Sequence, residues 1–138
     1  EVQYSSPLIK KHPDIFDTLI ALSGMYSSTY FLGDFMSDET YYHFPLVYLP
    51  NLTDPWYLDQ YQDSHIIFCV GRGNWEQDCL RDTWAMRNVL NERHIPAWID
   101  FWGEDVTHDW YWWRKQIVYF LHSLEFTGHH GLPETSQF

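Results

Sequence analysis

Three short and almost continuously apolar runs constrain the fold of this chain most strongly: Ile15–Ser23, His65–Val70 and Ile95–Trp102. Runs of this length that are apolar on both faces are typical of strands in a parallel sheet covered by helices. Apolar residues recur at helical spacing from Trp75 to Glu92 and again from Trp110 onward. The order strand, excursion, strand, helix, strand, helix predicts an α/β fold, with a parallel sheet, flanking helices and right-handed crossovers.

The remaining segments indicate the extent of the domain. A chain of 138 residues can form one domain or part of one. Residues 25–62 are rich in Tyr, Asp, Pro and Ser and have no sustained period, which predicts an irregular excursion with short helices. For residues 126–138 the sequence predicts a flexible tail. A single domain over residues 1–125 follows.

The charge of the chain excludes two classes of partner. The formal net charge is -11, so the phosphates of nucleic acids and the surfaces of anionic membranes would both be repelled. No apolar run approaches the roughly 20 residues of a membrane-spanning helix, and the amino terminus lacks the basic and apolar regions of a signal peptide. We therefore predict no nucleic-acid and no membrane partner.

Few residues are suited to disulfides or metals. Cys69 and Cys79 fall in different predicted elements and are too few for a disulfide framework, which favours buried free thiols and a cytoplasmic location. Asp105, His108 and Asp109 could approach an ion, but one histidine with flexible carboxylates falls short of a zinc constellation. The sequence predicts neither a metal nor a cofactor.

Acidic and basic side chains converge where the predicted strands end. The loops at the carboxyl ends of parallel strands meet at one edge of a sheet, where ligands bind. This places His108 near an acid, either Glu76 or Asp78. Such an acid accepts the imidazole N–H and stabilises the imidazolium of a general base. Both acids also fit a structural role, because the helix dipole favours carboxylates in a first turn.

Several motifs resemble the C-terminal half of esterases of the α/β-hydrolase fold, relatives of esterase D and the feruloyl esterases. They are Gly73-Asn74-Trp75-Glu76, Ile95-Pro96-Ala97-Trp98, Trp102-Gly103 and Val106-Thr107-His108-Asp109-Trp110. The resemblance implies strands six to eight of a hydrolase sheet, so that residues 1–125 form a partial hydrolase domain. It also implies His108 as the base and Glu76 as the acid of a catalytic triad, with Asp78 as the alternative acid.

The nucleophile of that family is absent from this sequence. Its serine occupies a G-x-S-x-G elbow between a strand and a helix, and no such motif occurs in these 138 residues. Ser5 and Ser6 lack the glycines and a preceding strand, and Ser23 lacks an elbow to expose it. The chain on its own is therefore predicted to be inactive, and to act on small-molecule esters when an N-terminal half completes it.

The incomplete sheet also predicts a protein partner. If the run Ile15–Ser23 is the first strand present, one of its edges lacks a neighbour in the complete fold. Unpaired N–H and C=O groups on an apolar strand form a template for another chain. We predict self-association or pairing with the missing half through this edge.

Aromatic side chains support an alternative function. The chain has eight tryptophans and ten tyrosines, whose rings can stack on flat ligands. Tyr26, Trp75 and Trp110 lie near the predicted cleft and are candidate substrate-binding residues. The alternative hypothesis is a non-catalytic module that binds carbohydrate or another flat ligand.

Overall fold

The architecture comes from a computed structural model, which describes residues 18–26 and 45–127. The predicted strand residues 15–17, the serines Ser5 and Ser6, part of the excursion (27–44) and the tail beyond 127 lie outside the described residues.

Three parallel strands form one sheet, as the apolar runs predicted. They are β1 (Thr18–Leu22), β2 (His65–Val70) and β3 (Trp98–Phe101), in the spatial order β1-β2-β3. β2 is central and every residue in it is buried, which explains its unbroken apolar sequence. In the register of β1 and β2, Ile20 stands opposite Ile67.

Helices connect and flank the strands. They are α1 (Pro45–Tyr48), a 3-10 turn (Leu49–Asn51), α2 (Pro55–Gln62), α3 (Gln77–Glu92) and α4 (Trp110–Thr127). The short helices of residues 45–62 agree with the predicted excursion. The helix α2 begins where Asp54 accepts a hydrogen bond from the Trp56 N–H at 3.0 Å, because a side-chain acceptor satisfies a free donor at a helix start. The helix α4 continues to Thr127, two residues into the segment 126–138 for which the sequence predicts a tail.

The two long helices cover opposite faces of the sheet. Met86 and Leu90 of α3 pack in one cluster with Phe68 and Ile99, while Phe120 of α4 packs in a second cluster with other strand residues. Successive residues of a strand point to opposite faces, so both faces carry apolar side chains and both are covered. This is the α/β architecture that the sequence predicted.

Some details of the helix faces differ from the pattern. Trp84 and Leu121 are apolar positions within the two runs of helical spacing, which predicts that they lie on covered faces, but both are exposed. Gln116, which the apolar pattern passed over, is fully buried. Trp84 instead stacks on Phe101 at 4.5 Å between ring centroids, so a large ring can stabilise a helix from its margin while part of it stays in water.

Within the two described segments, no helix has both the length and the hydropathy to cross a bilayer.

Candidate active site

Two loops that leave neighbouring strands are held together by backbone hydrogen bonds. The Gly73 N–H donates to the Val106 carbonyl at 2.9 Å, and the His108 N–H donates to the Asn74 carbonyl at 3.2 Å. The first loop follows β2 and the second follows β3. These bonds fix residues that are far apart in sequence at one edge of the sheet, as expected for strand ends in a parallel sheet.

Glycines make this close approach possible. A Cβ atom built on Gly73 would lie 2.6 Å from the carbonyl oxygen of Val106 and 2.8 Å from that of Glu104. A Cβ on Gly71 would also collide with the Val106 carbonyl. The obstacles are backbone atoms, which cannot move aside as a side chain can. The Gly71-Arg72-Gly73 turn is therefore required by packing against the second loop.

Glu76 is a fully buried carboxylate at the start of α3, with 0% of the residue exposed. The Ser23 hydroxyl donates to its Oε1 atom at 2.6 Å. The residue before it, Trp75, has a φ of 68°, a left-handed conformation that is costly for a bulky side chain. A strained backbone beside a buried acid is a feature of functional sites.

His108 lies against this carboxylate. Its Nδ1 atom is 3.4 Å from Glu76 Oε2, and the His108 side chain is 37% exposed. The Trp113 ring stands edge-on to the imidazole at 4.8 Å between centroids. The pair therefore combines a buried carboxylate with an imidazole that solvent and small molecules can reach.

Asp78, the alternative acid, points elsewhere. Its carboxylate lies 3.5 Å from Arg81 one helical turn away, and half of the Asp78 side chain is exposed. Glu76 therefore occupies the position beside His108 that the sequence left open between the two acids.

Ser23 connects β1 to the acid. It follows the last residue of β1 with a φ of 52°, its hydroxyl accepts a hydrogen bond from Trp113 Nε1 at 3.0 Å, and its proton is donated to Glu76. The sequence indicated Ser23 only as a poor nucleophile, and Trp113 only falls within the run of helical spacing that begins at Trp110. The strand-end position of Ser23 was the one available signal for this role.

Cys79 is a further polar group of the site. Its Sγ atom lies 3.9 Å from His108 Nδ1. Burial, followed by the charge of Glu76, raises the pKa of the Cys79 thiol to about 12. Burial, followed by the charge of Asp100, also raises the pKa of the other free cysteine, Cys69. Both thiols are therefore protonated at neutral pH, and neither is an activated nucleophile.

The comparisons with known proteins bear on the fold. No protein-family model matches the sequence, and a search of curated proteins finds no match. A solved structure named ferulic acid esterase is similar to this chain, with a TM-score of 0.63 and 15% sequence identity. The match covers 87% of this chain and 46% of that structure, so the chain spans about half the length of its neighbour. The likeness shows a shared α/β fold.

The three aromatic residues expected to bind substrate lie in different surroundings. Trp75 is 83% exposed and Trp110 is 55% exposed, so both rings are available to a ligand. Tyr26 is 2% exposed and packs edge-on against Phe68 at 5.1 Å. The expectation for Tyr26 is corrected, since it is a core residue here. Burial also raises its pKa well above the ordinary value of tyrosine.

The carboxylates considered with His108 as metal ligands do not join it in a donor group among the described residues. Asp109 accepts a hydrogen bond from the Tyr111 N–H at 3.1 Å at the start of α4. The Asp105 carboxylate instead lies close to Gly103, where an added Cβ would be 2.7 Å from its Oδ1 atom.

Proposed function

We propose that this chain supplies the acid and base of a serine carboxylic-ester hydrolase. The observation that carries the proposal is the 3.4 Å approach of His108 Nδ1 to the buried Glu76 carboxylate. A histidine oriented by a buried acid is the arrangement that activates a hydroxyl nucleophile. The fold shared with the structure named ferulic acid esterase supports the same class of reaction.

The mechanism assigns one task to each side chain. With Nδ1 engaged by Glu76, Nε2 of His108 is the nitrogen left to accept the proton of a serine hydroxyl. The serine oxygen forms a bond to the ester carbonyl carbon, the carbon–alkoxy bond breaks, and the imidazolium returns its proton to the leaving alcohol. Water then attacks the acyl-enzyme with the same proton transfers through His108, and the carboxylic acid product is released from the serine. The Glu76 carboxylate stabilises the imidazolium.

The serine of this reaction comes from outside the 138 residues. No G-x-S-x-G elbow occurs in them, and Ser23 is 5% exposed with its proton donated to Glu76. The proposed active unit therefore joins this chain to an N-terminal half that carries the nucleophile and the oxyanion hole. Its substrate is a small-molecule ester. The two free cysteines support a reducing compartment such as the cytoplasm.

A second candidate function is supported by the exposed aromatic rings. Trp75 and Trp110 are both largely exposed, and Trp110 stands edge-on to Trp113 at 5.2 Å. Rings presented in this way bind flat apolar surfaces such as the faces of sugars. In this alternative, the chain is a carbohydrate-binding module without catalytic activity.

One experiment separates the two functions. The purified 138-residue chain is expected to hydrolyse short p-nitrophenyl esters no faster than buffer, because a positioned histidine without an oxyanion hole gives little acceleration. The complete reading frame of the gene is expected to hydrolyse them and to be labelled by an organophosphate on a serine of the N-terminal half. Labelling at Ser23 would contradict the assignment.

The binding module is tested by the quenching of tryptophan fluorescence with an oligosaccharide. Saturable quenching that is lost in Trp75→Ala, together with no ester turnover by the complete protein, would favour the binding module.

We also propose that the N-terminal half, or a second copy of this chain, pairs with the outer edge of β1. Within the residues that the structure describes, β1 pairs with β2 alone. The Ser23 N–H donates to the Cys69 carbonyl of β2 at 2.8 Å. Alternate residues of a parallel strand direct their backbone N–H and C=O groups to opposite sides. The backbone N–H of Ala21 therefore points toward β2, and that of Ile20 points toward the outer edge.

A pair of proline substitutions tests this edge. Ile20→Pro removes an outward N–H and leaves the β1–β2 ladder intact, and proline is tolerated in edge strands. We expect the dissociation constant of the pairing to rise at least about tenfold, from one lost hydrogen bond of roughly 1.4 kcal/mol. Sedimentation velocity measures the change.

The control is Ala21→Pro, which removes an inward N–H and is expected to lower the folding stability instead. Charged substitutions at Leu19 or Ala21 are unsuitable, since both side chains are buried in the core. A wild-type chain that is monomeric at micromolar concentration, and does not bind the N-terminal half, would contradict this proposal.

A further inference from the structure

Three side chains with different donor atoms lie close together in the site. Among residues 18–26 and 45–127, the carboxylate of Glu76, the thiol of Cys79 and the imidazole of His108 offer donor atoms that all lie within 4.8 Å of one another. Nδ1 of His108 is 3.4 Å from Glu76 Oε2 and 3.9 Å from Cys79 Sγ. The catalytic proposal uses the carboxylate and the imidazole but gives the thiol no role.

We propose that Glu76, Cys79 and His108 form a binding site for Zn²⁺, and that zinc bound there blocks the acid–base pair. Zinc is a borderline-soft ion that binds thiolate, imidazole and carboxylate ligands together. Three protein ligands with a fourth position open to water is a common zinc arrangement.

Two of the three donor separations fit a tetrahedral ion. At usual zinc bond lengths, tetrahedral angles place a nitrogen and an oxygen ligand about 3.3 Å apart, and a sulfur and a nitrogen about 3.6 Å apart. The observed separations of 3.4 Å and 3.9 Å are within a few tenths of an ångström of these values. Glu76 and Cys79 are three residues apart at the start of α3, a spacing that places both on the same side of the helix.

The surroundings hold one ligand in place. The Ser23 hydroxyl fixes Glu76 Oε1 at 2.6 Å and is itself fixed by Trp113 Nε1 at 3.0 Å. The other carboxylate oxygen, Oε2, therefore faces His108. Hydrogen bonds of this kind orient metal ligands and strengthen metal sites. The partly exposed His108 ring leaves a route by which an ion can enter from water.

Zinc and catalysis exclude each other at one nitrogen. In the acid–base pair, Nδ1 of His108 carries a proton that Glu76 accepts. In the zinc complex, Nδ1 binds the ion through its lone pair, the ring proton resides on Nε2, and the Cys79 thiol releases its proton to solvent. The imidazole then has no free lone pair to activate a serine. Zinc binding itself does not depend on the proposed function, whereas inhibition rests on it.

Zinc affinity of the purified chain tests the proposal without any measurement of activity. Zn²⁺ is titrated in competition with a chromophoric chelator. We expect one equivalent to bind to the wild-type chain, with at least about tenfold weaker affinity in Cys79→Ala, Cys79→Ser and His108→Asn, because each loses one ligand. Cys69→Ala and His94→Asn are the matched controls and are expected to bind zinc like the wild type. Cys69 is buried in β2, and His94 lies beyond the end of α3 that is opposite to Glu76.

Cobalt replaces zinc as a spectroscopic probe of the thiolate. Co²⁺ bound to the wild-type chain is expected to show a thiolate-to-metal charge-transfer band in the near ultraviolet, which Cys79→Ser abolishes. His129 and His130 supply imidazole but no thiolate, so binding at the tail alone would give no such band. A wild-type chain without the band, or a Cys79→Ser variant that keeps both the band and the affinity, would overturn the proposal. Circular dichroism of each variant confirms that it is folded.

Discussion

Glu76→Gln is expected to lower kcat/KM of the proposed complete hydrolase about ten-thousand-fold, the size of effect known for the equivalent acid-to-amide change in a serine protease triad. The structure explains why the amide is harmful. Trp113 donates to the Ser23 hydroxyl, and Ser23 donates its own proton to Oε1 of Glu76. In the glutamine variant, the amide oxygen keeps this position as the acceptor, so the amide NH₂ faces His108.

An NH₂ group in that position donates to Nδ1 and forces the imidazole proton onto Nε2. The base then presents an N–H, instead of a lone pair, to the serine. Because glutamine has nearly the same volume as glutamate, the fold is expected to remain intact. His108→Ala is expected to cause a loss of similar size and also to leave the fold intact, since the ring is partly exposed.

Asp78→Asn is the matched control for Glu76→Gln. Asp78 pairs with Arg81 at the surface, and exposed ion pairs of this kind contribute little to folding stability. The kcat/KM of the Asp78→Asn variant is expected to stay within about threefold of the wild type. A large loss in Asp78→Asn, or a Glu76→Gln enzyme that keeps a tenth of its activity, would contradict the assignment of the acid.

Gly71→Ala is expected to reduce the free energy of unfolding by about 3 kcal/mol, at the upper end of the usual cost of overpacking. The added Cβ would meet the carbonyl oxygen of Val106, and a backbone atom can yield only if the second loop moves. That movement would also strain the hydrogen bond from His108 to Asn74 and separate His108 from Glu76. Urea unfolding followed by circular dichroism measures the loss of stability.

Gly103→Ala is the control for this prediction. Its added Cβ would meet the Oδ1 atom of Asp105, the end of a flexible side chain that can rotate away. The expected loss is below about 1 kcal/mol. Equal losses in Gly71→Ala and Gly103→Ala would mean that the approach of the two loops is not what these glycines permit.

The sequence alone predicted the class of fold correctly because the relevant signals are local. An unbroken apolar run such as His65–Val70 indicates a strand covered on both faces, and the helical spacing of Met86 and Leu90 indicates the helix that covers one of them. The start of one helix differs from the prediction. Trp75 was expected inside α3, but its left-handed backbone places it before the helix begins.

Local patterns could not choose the acid. Glu76 and Asp78 are two residues apart, and both suit a helix start. The choice depends on distances across the sheet edge: the glycine-permitted approach of one loop to the other and the reach of Ser23 from the end of β1. Such distances arise from strand register and packing, which no short stretch of sequence encodes.

The sequence by itself determined the order of strands and helices, the absence of a G-x-S-x-G elbow and the position of His108 on a strand-end loop. Only the tertiary structure decided that Glu76 is the buried partner, that Tyr26 is core and that Cys79 joins the site. The physical reason is the range of the forces involved. Burial patterns follow from the periodicity of one element, whereas a site is assembled from atoms on several elements whose separations are set by the packing of the whole domain.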